Sequence, residues 1–419
     1  MSNCGVIEKS TNTNMIQQFY HRLLMRRHFW RYASFSEVSE LYASRTLRML
    51  AINISAVFMS VYLYQNNYNV VFIGGYWALY YFIKIFMAFP CAHYAARFGA
   101  KHGILLSNLL YIPSMIAFTF VPQWGITAIV ITGLLQGLSA TMYNICYSID
   151  FSKVKSVDHA GKEIAYMNIV EKIATGLSPV VGGFLAYIAG PEATMYAAAG
   201  LFAIAAIPLM RSPEQMTIHR PLTRRGFPWR LAYKSMIADV GIGFDVVASG
   251  TVWSLLVAVA IIGVHQNNKV YAVLGILASV VMIAALAASY TYGKIIDQRK
   301  GGDLLKIAVI ADSLIHLTRP FVHSLGVVGG INIANEAATT GYAMAFTRGM
   351  FDTADTSGYR ITYLAYMEVV INAGASLAGV VLMVLANYFG EIHGMRLFFF
   401  VAAAVVLIIA TPKFRLYQK

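Results

Sequence analysis

Among the ionisable residues inside long apolar runs of this chain are Lys84, Glu171, Lys172, Asp312, His316, Glu336 and Glu368. A charge surrounded by hydrocarbon is expensive, so each marks either a site or a partnership. Helical spacing groups them with other polar side chains. Lys84 shares a face with Tyr80 and Tyr76, Glu336 with Asn332, Glu368 with Asn372, and Asp312 with His316. Glu171 and Lys172 are adjacent, so on a helix they point about 100° apart and need not pair with each other. A carboxylate near a cation in a water-filled cavity can take up and release a proton. The candidates for substrate contact or proton coupling are therefore Glu336, Glu171, Lys84 and Glu368, with Asn332 and Tyr80 beside them. A structural reading stands next to this one. Lys84 can snorkel to the near interface, and Glu171 and Glu368 can pair with inner-loop arginines. Glu336, near the middle of its run, has fewer escapes.

The elements that must position these residues follow from composition. Hydrophobic residues make up 58% of the 419 and charged residues 12%. Soluble chains carry about 25% charged residues, so lipid must be the solvent for much of this surface. Twelve apolar runs have roughly the length a helix needs to cross a bilayer. They cover 47–64, 70–91, 103–120, 127–149, 164–188 and 194–210, then 244–264, 270–292, 304–318, 322–346, 361–385 and 397–411. The fold class expected is an all-α polytopic membrane protein built as two six-helix bundles, 47–210 and 244–411. A basic segment, 1–46, precedes them, with a surface helix expected around residues 15–32. A linker, 211–243, separates the bundles and holds a possible amphipathic helix at 229–240. A short tail, 412–419, follows.

Charge orients the chain. Of 32 Lys and Arg, 25 fall on the side of the termini and three on the opposite side, with Arg319 counted among those three. This bias places both termini in the cytoplasm. It accounts for the net charge of +13 without a nucleic-acid partner. Cys4, Cys91 and Cys146 form neither a disulfide framework nor a metal spacing. The first strongly apolar run starts too late for a cleavable signal peptide.

Two polar turns in like settings indicate a duplicated chain. Gly293-Lys294-Ile295-Ile296-Asp297-Gln298-Arg299-Lys300-Gly301-Gly302 lies between the eighth and ninth runs. Ala92-His93-Tyr94-Ala95-Ala96-Arg97-Phe98-Gly99-Ala100-Lys101 lies between the second and third, 201 residues earlier. Ala165-Tyr166-Met167 and Ala365-Tyr366-Met367 recur at an offset of 200. Parallel repeats of this kind build transporters with a central site between the halves.

On these residues the chain resembles the major facilitator superfamily over about residues 45–412. The family's turn after its second helix reads Gly, three residues, Asp, Arg, one residue, Gly, Arg and Arg or Lys. Gly293 and Asp297 match it, with the basic residue displaced to Arg299. In the first half Arg97, Gly99 and Lys101 match, while Ala92 and Ala96 replace the glycine and the acid. The resemblance implies that these residues, with Asp150 closing the fourth helix and Lys153 and Lys155 beyond it, latch the halves on the cytoplasmic side. Plain topology determination is the other reading of these charges. Ser178-Pro179-Val180-Val181-Gly182-Gly183 resembles a segment of exporters in the family, with Ser178 in place of a glycine. Proline frees a helix hydrogen bond and paired glycines admit a neighbouring backbone. Ser178, Pro179, Gly182 and Gly183 are thus hinge candidates, or simply a tight packing surface.

The function expected is secondary active transport of a small solute by alternating access, with protons as candidate coupling ion and a lean toward export. No phosphate-binding loop supports an ATPase. A lipid or amphiphile flippase on the same fold, a polytopic membrane enzyme and a non-transporting scaffold are the alternatives. The enzyme reading lacks an interfacial His/Asp/Glu cluster with catalytic spacing. We expect a monomer in the plasma membrane, in contact with lipid and substrate, without cofactor or metal.

Overall fold

The computed structural model describes residues 35–154, 160–210, 222–263 and 268–417. The surface helix expected around residues 15–32 lies outside them, as do Lys155 and the prolines at 213 and 221. Among the described residues there are twelve long helical segments and no strands. The first, α1, runs Phe35–Asn53 and, after a break at Ile54 and Ser55, Ala56–Gln65. The first half continues with α2 Val70–Phe98, α3 Ala100–Thr119, α4 Ile126–Val154, α5 Ala160–Ala189 and α6 Pro191–Ala206. The second half comprises α7 Trp229–Ile262, α8 Lys269–Asp297, α9 Gly301–Thr318, α10 Leu325–Thr356, α11 Arg360–Phe389 and α12 Glu391–Val406. Ten of these segments are long and apolar enough to cross a membrane. The exceptions are α9 and α10, which carry the polar residues described below.

Two bounds differ from the sequence expectations in a way that matters. The amphipathic helix expected in the linker is the first half of α7, because Ala232, Ser235, Met236, Ala238 and Asp239 are buried against neighbouring helices. Likewise α1 begins well before Leu47, so Arg45 belongs to the bundle. Pro90, Pro113 and Pro179 sit within helices without ending them.

The outer face is apolar, with Ile188 79% and Ile283 76% exposed. That is the surface lipid would cover. Inside, two clusters of buried side chains lie at opposite ends of the bundle. One, at the end away from the termini, includes Phe58, Tyr62, Phe118, Phe202, Trp253, Tyr271 and Phe398. The other includes Tyr143, Cys146, Phe346, Phe351 and Tyr363. Each draws on both halves.

The halves meet chiefly along α2 against α11 and α5 against α8. Small residues permit the approach. A Cβ on Gly379 would lie 2.5 Å from the backbone nitrogen of Ala78, and one on Gly275 would lie 2.2 Å from the carbonyl of Pro179. Both contacts fall toward the end of the helices away from the termini. There Tyr64 donates to Glu391 at 2.9 Å and Tyr271 to Gln65 at 2.5 Å. Two turns have matching backbone conformation. Gly190 enters α6 with φ 88° and ψ 158°, and Gly390 enters α12 with φ 80° and ψ 162°. These two glycines are 200 residues apart, and only glycine adopts that conformation freely.

Candidate functional site

Among the described residues, two ion pairs join the halves inside the bundle. Lys84 of α2 places Nζ 3.8 Å from Glu368 Oε1 of α11. Lys172 of α5 places Nζ 2.6 Å from Glu336 Oε1 of α10. Lys84 therefore reaches across to the other half instead of snorkelling along its own. Its ammonium also lies 5.5 Å from the Tyr80 ring and 5.1 Å from the Tyr81 ring. Glu368 accepts further from Asn144 at 3.2 Å and Asn372 at 3.0 Å. Thr340 donates to Glu336 at 3.2 Å. Asn332, one turn before Glu336, goes elsewhere and accepts from Trp253 Nε1 at 2.7 Å. The adjacent Glu171 and Lys172 do point to different neighbours. Glu171 is held by Arg45 at 2.6 Å, whose guanidinium stacks 3.9 Å over Tyr147.

These groups border two cavities between the halves. One, of ≈ 390 Å³, is lined by Arg45, Tyr143, Asn144, Glu171, Asp239, Phe346 and Glu368 among others. The second, of ≈ 250 Å³, is bordered by Asn53, Lys172, Pro179, Met282 and Glu336. Arg45, Asp239 and Glu368 all lie about ten residues from the termini-side ends of their helices, roughly 15 Å in. The first cavity thus lies beneath the closed glycine contacts at the other end, and the second reaches up to Pro179, which takes part in one of them. Asp239 falls outside the sequence expectations because residues 229–243 read as linker. A lone acid between Ala238 and Val240 was the available signal.

A third polar cluster lies wholly within the second half and is buried. His316 Nε2 lies 2.8 Å from Asp245 Oδ1, and Arg319 Nη1 lies 3.0 Å from His316 Nδ1. Arginine can only donate, so Nδ1 accepts, and Nε2 carries the proton given to Asp245. Arg319 also donates to Asn335 at 2.7 Å and Ser249 at 3.1 Å, and Asn335 donates to Asp312 at 2.7 Å. Tyr342 donates to the second oxygen of Asp245. Asp245, Asp312 and His316 bring three ligand-type atoms within 4.8 Å of one another. Arg319 already supplies the cation, and its donation to Nδ1 keeps Nε2 protonated and unsuited to a metal.

Arg319 thus stands in the turn after α9 but faces into the bundle. It is 0% exposed, because the short helical turn after α9 folds it back between Trp253 and Phe399. Arg48 is similarly enclosed in the first half, donating to Asn108 at 2.7 Å under the Tyr143 ring. From sequence, Arg48 is a charge within or at the end of a span and Arg319 one in an outward turn.

The turn residues occupy the termini-side ends of the helices. Gly293 is buried in α8, and Asp297 ends that helix with one buried oxygen lacking a hydrogen-bond partner among the described residues. Arg299 holds a left-handed φ of 61° in the turn that follows. Gly99, with φ 94°, joins α2 to α3. Arg97 lies 5.3 Å from the Phe98 ring, while Lys101 and Asp150 each have a polar, ionic or ring contact. Gly301 packs on Tyr417, whose hydroxyl donates to the carbonyl of Ala345 at 2.9 Å.

In α5, Ser178 donates to the carbonyl of Ala174 at 2.6 Å, one turn back. A Cβ on Gly182 would meet the carbonyl of Ile54 at 2.1 Å, and one on Gly183 the carbonyl of Tyr271 at 2.5 Å. The paired glycines therefore press α5 against α1 on one side and α8 on the other.

Comparison with known proteins places this arrangement. The family model described as Major Facilitator Superfamily matches residues 41–347. No curated protein matches the chain at a significant level. Among solved structures, the human organic anion transporter MFSD10 (TETRAN) superposes with a TM-score of 0.65 at 12% identity, covering 91% of this chain and 99% of that one. The E. coli fucose:proton symporter FucP gives 0.60 at 14% identity, covering 89% and 97%. The nucleoside transporter NupG gives 0.62 at 14%, covering 88% and 97%. Identities this low speak to fold alone. The family match extends over well over half of the sequence, and the chain belongs to the major facilitator superfamily.

Proposed function

We propose that this protein is a proton-coupled secondary transporter, and not an enzyme, that carries a small solute between its two helix bundles by alternating access. The observation that carries this reading is the pair of charged cavities between the halves, spanned by Lys84–Glu368 and Lys172–Glu336. With the termini in the cytoplasm, as the charge bias indicates, the state described here is closed on the outer side. The Gly379–Ala78 and Gly275–Pro179 contacts form that closure. Rocking the halves would pull α5 from α10 and separate Lys172 from Glu336. A carboxylate leaving a buried partner is costly unless it is neutralised, so Glu336 would exchange the lysine for a proton. The lean toward export, the plasma membrane and the monomeric state belong to the same proposal.

The test is solute flux in reconstituted vesicles, with and without a proton gradient. Proton-driven flux should collapse in Glu336→Gln while the protein still folds and elutes as a single species. Undiminished proton-driven flux in that variant would remove Glu336 from the coupling step.

A further inference from the structure

We infer that the ≈ 390 Å³ cavity binds an organic cation, an ammonium carried on a small apolar body, with Asp239 as its counter-charge. The inference rests on the transporter reading and adds a substrate class to it. Three carboxylates border the cavity. Glu171 is neutralised by Arg45 at 2.6 Å. Glu368 is held by Lys84 at 3.8 Å and by the amides of Asn144 and Asn372. Asp239 is 4% exposed and, among the described residues, has neither an ion pair nor a hydrogen bond. The nearby charge it feels is that of Glu368, which is also negative.

A buried carboxylate without a donor is unfavourable. Here its side chain borders the cavity, so a ligand can relieve it. An ammonium would bring the missing positive charge and N–H donors, and charge-assisted hydrogen bonds are the stronger kind. Arg45 and Lys84 set two cations against three carboxyl groups, so Asp239 is the one left without a cation. An anionic ligand would find both cations already engaged. Ile242, Phe346, Met350 and Met367 supply the apolar wall for the rest of the ligand. The volume falls within the range of small-molecule sites, about 300–1,000 Å³.

Titration calorimetry on the full-length protein in detergent, with three probes of like size, tests this. The probes are phenethylammonium, 3-phenylpropanoate and 2-phenylethanol. The cation should bind at least about tenfold more tightly than the anion or the alcohol, a difference of about 1.4 kcal/mol. Asp239→Asn should lower the cation affinity by a similar factor, and Asp239→Glu should retain it. Equal affinities, a preference for the anion, or unchanged cation binding in Asp239→Asn would overturn the inference. If Asp239→Asn does not fold, the charge preference of the unaltered protein decides alone. Counterflow in vesicles separates this inference from the transporter reading. Flux selective for 3-phenylpropanoate would overturn the cation assignment and leave transport standing. Specific cation binding without any counterflow would uphold the site and overturn transport.

Discussion

Replacing Gly379 by leucine should open the end of the bundle that is closed in this structure. A Cβ at this position would lie 2.5 Å from the nitrogen of Ala78 and 2.9 Å from the carbonyl oxygen of Gly74, both backbone atoms of α2. Ordinary contact begins at 3.4 Å, so α2 and α11 must part by about 0.9 Å for the first carbon alone. Ser376, one turn away, donates to the carbonyl of Ala78 at 2.8 Å and would be strained by the same movement. Overpacking of this kind costs about 1–3 kcal/mol. A state in which the two helices have separated does not bear that cost. The equilibrium should therefore move toward it by roughly five- to 150-fold. Spin labels at Asn67 and Tyr388, on opposite halves at that end, would report the change as a longer distance. Gly75→Ala is the control, because its neighbour is the flexible end of Met383 at 3.4 Å. An unchanged distance distribution in a stable Gly379→Leu protein would refute the claim that this contact holds the closed state.

Two further outcomes follow from the buried charges. Lys84→Met should lower stability by about 3–5 kcal/mol, because it leaves Glu368 without its cation, whereas Lys84→Met with Glu368→Met should recover most of the loss. Thermal unfolding in detergent reads both, and a double variant as unstable as the sum of the single ones would show that the pair is not coupled. Arg319→Met should cost a comparable amount by leaving Asp245 and Asp312 without a cation. Added Zn²⁺ should not raise the unfolding temperature of the unaltered protein, and a clear rise would show that the cluster holds metal despite Arg319.

The particular residues show where sequence reading reaches and where it stops. Lys84, Glu171, Glu336 and Glu368 are visible because a charge inside an apolar run breaks a strong local pattern. Their partners are not visible. Lys84 and Glu368 lie 284 residues apart, and nothing in local spacing says that α2 packs on α11. Asn332 shares a helical face with Glu336, yet it bonds to Trp253 while Glu336 faces Lys172. A shared face on one helix leaves open which neighbour each residue meets. Asp239 was hidden for another reason. The polar start of α7 carries Trp229, Arg230, Tyr233 and Lys234 and reads as a surface segment, although one side of it is buried.

Sequence alone determined that this chain is helical and membrane-embedded, and its repeat offsets and basic residues set the expectations of a duplicated chain and of its orientation. Those properties depend on composition, run length and repeat offset, which are local or additive. It also marked the Gly182-Gly183 pair as a place where another backbone approaches. Only the tertiary structure decided which charges neutralise one another and where the cavities lie. It alone left Asp239 unpaired among the described residues and folded Arg319 inward. Pairing energies depend on distance and burial between elements far apart in the chain, and those quantities exist only once the helices have packed.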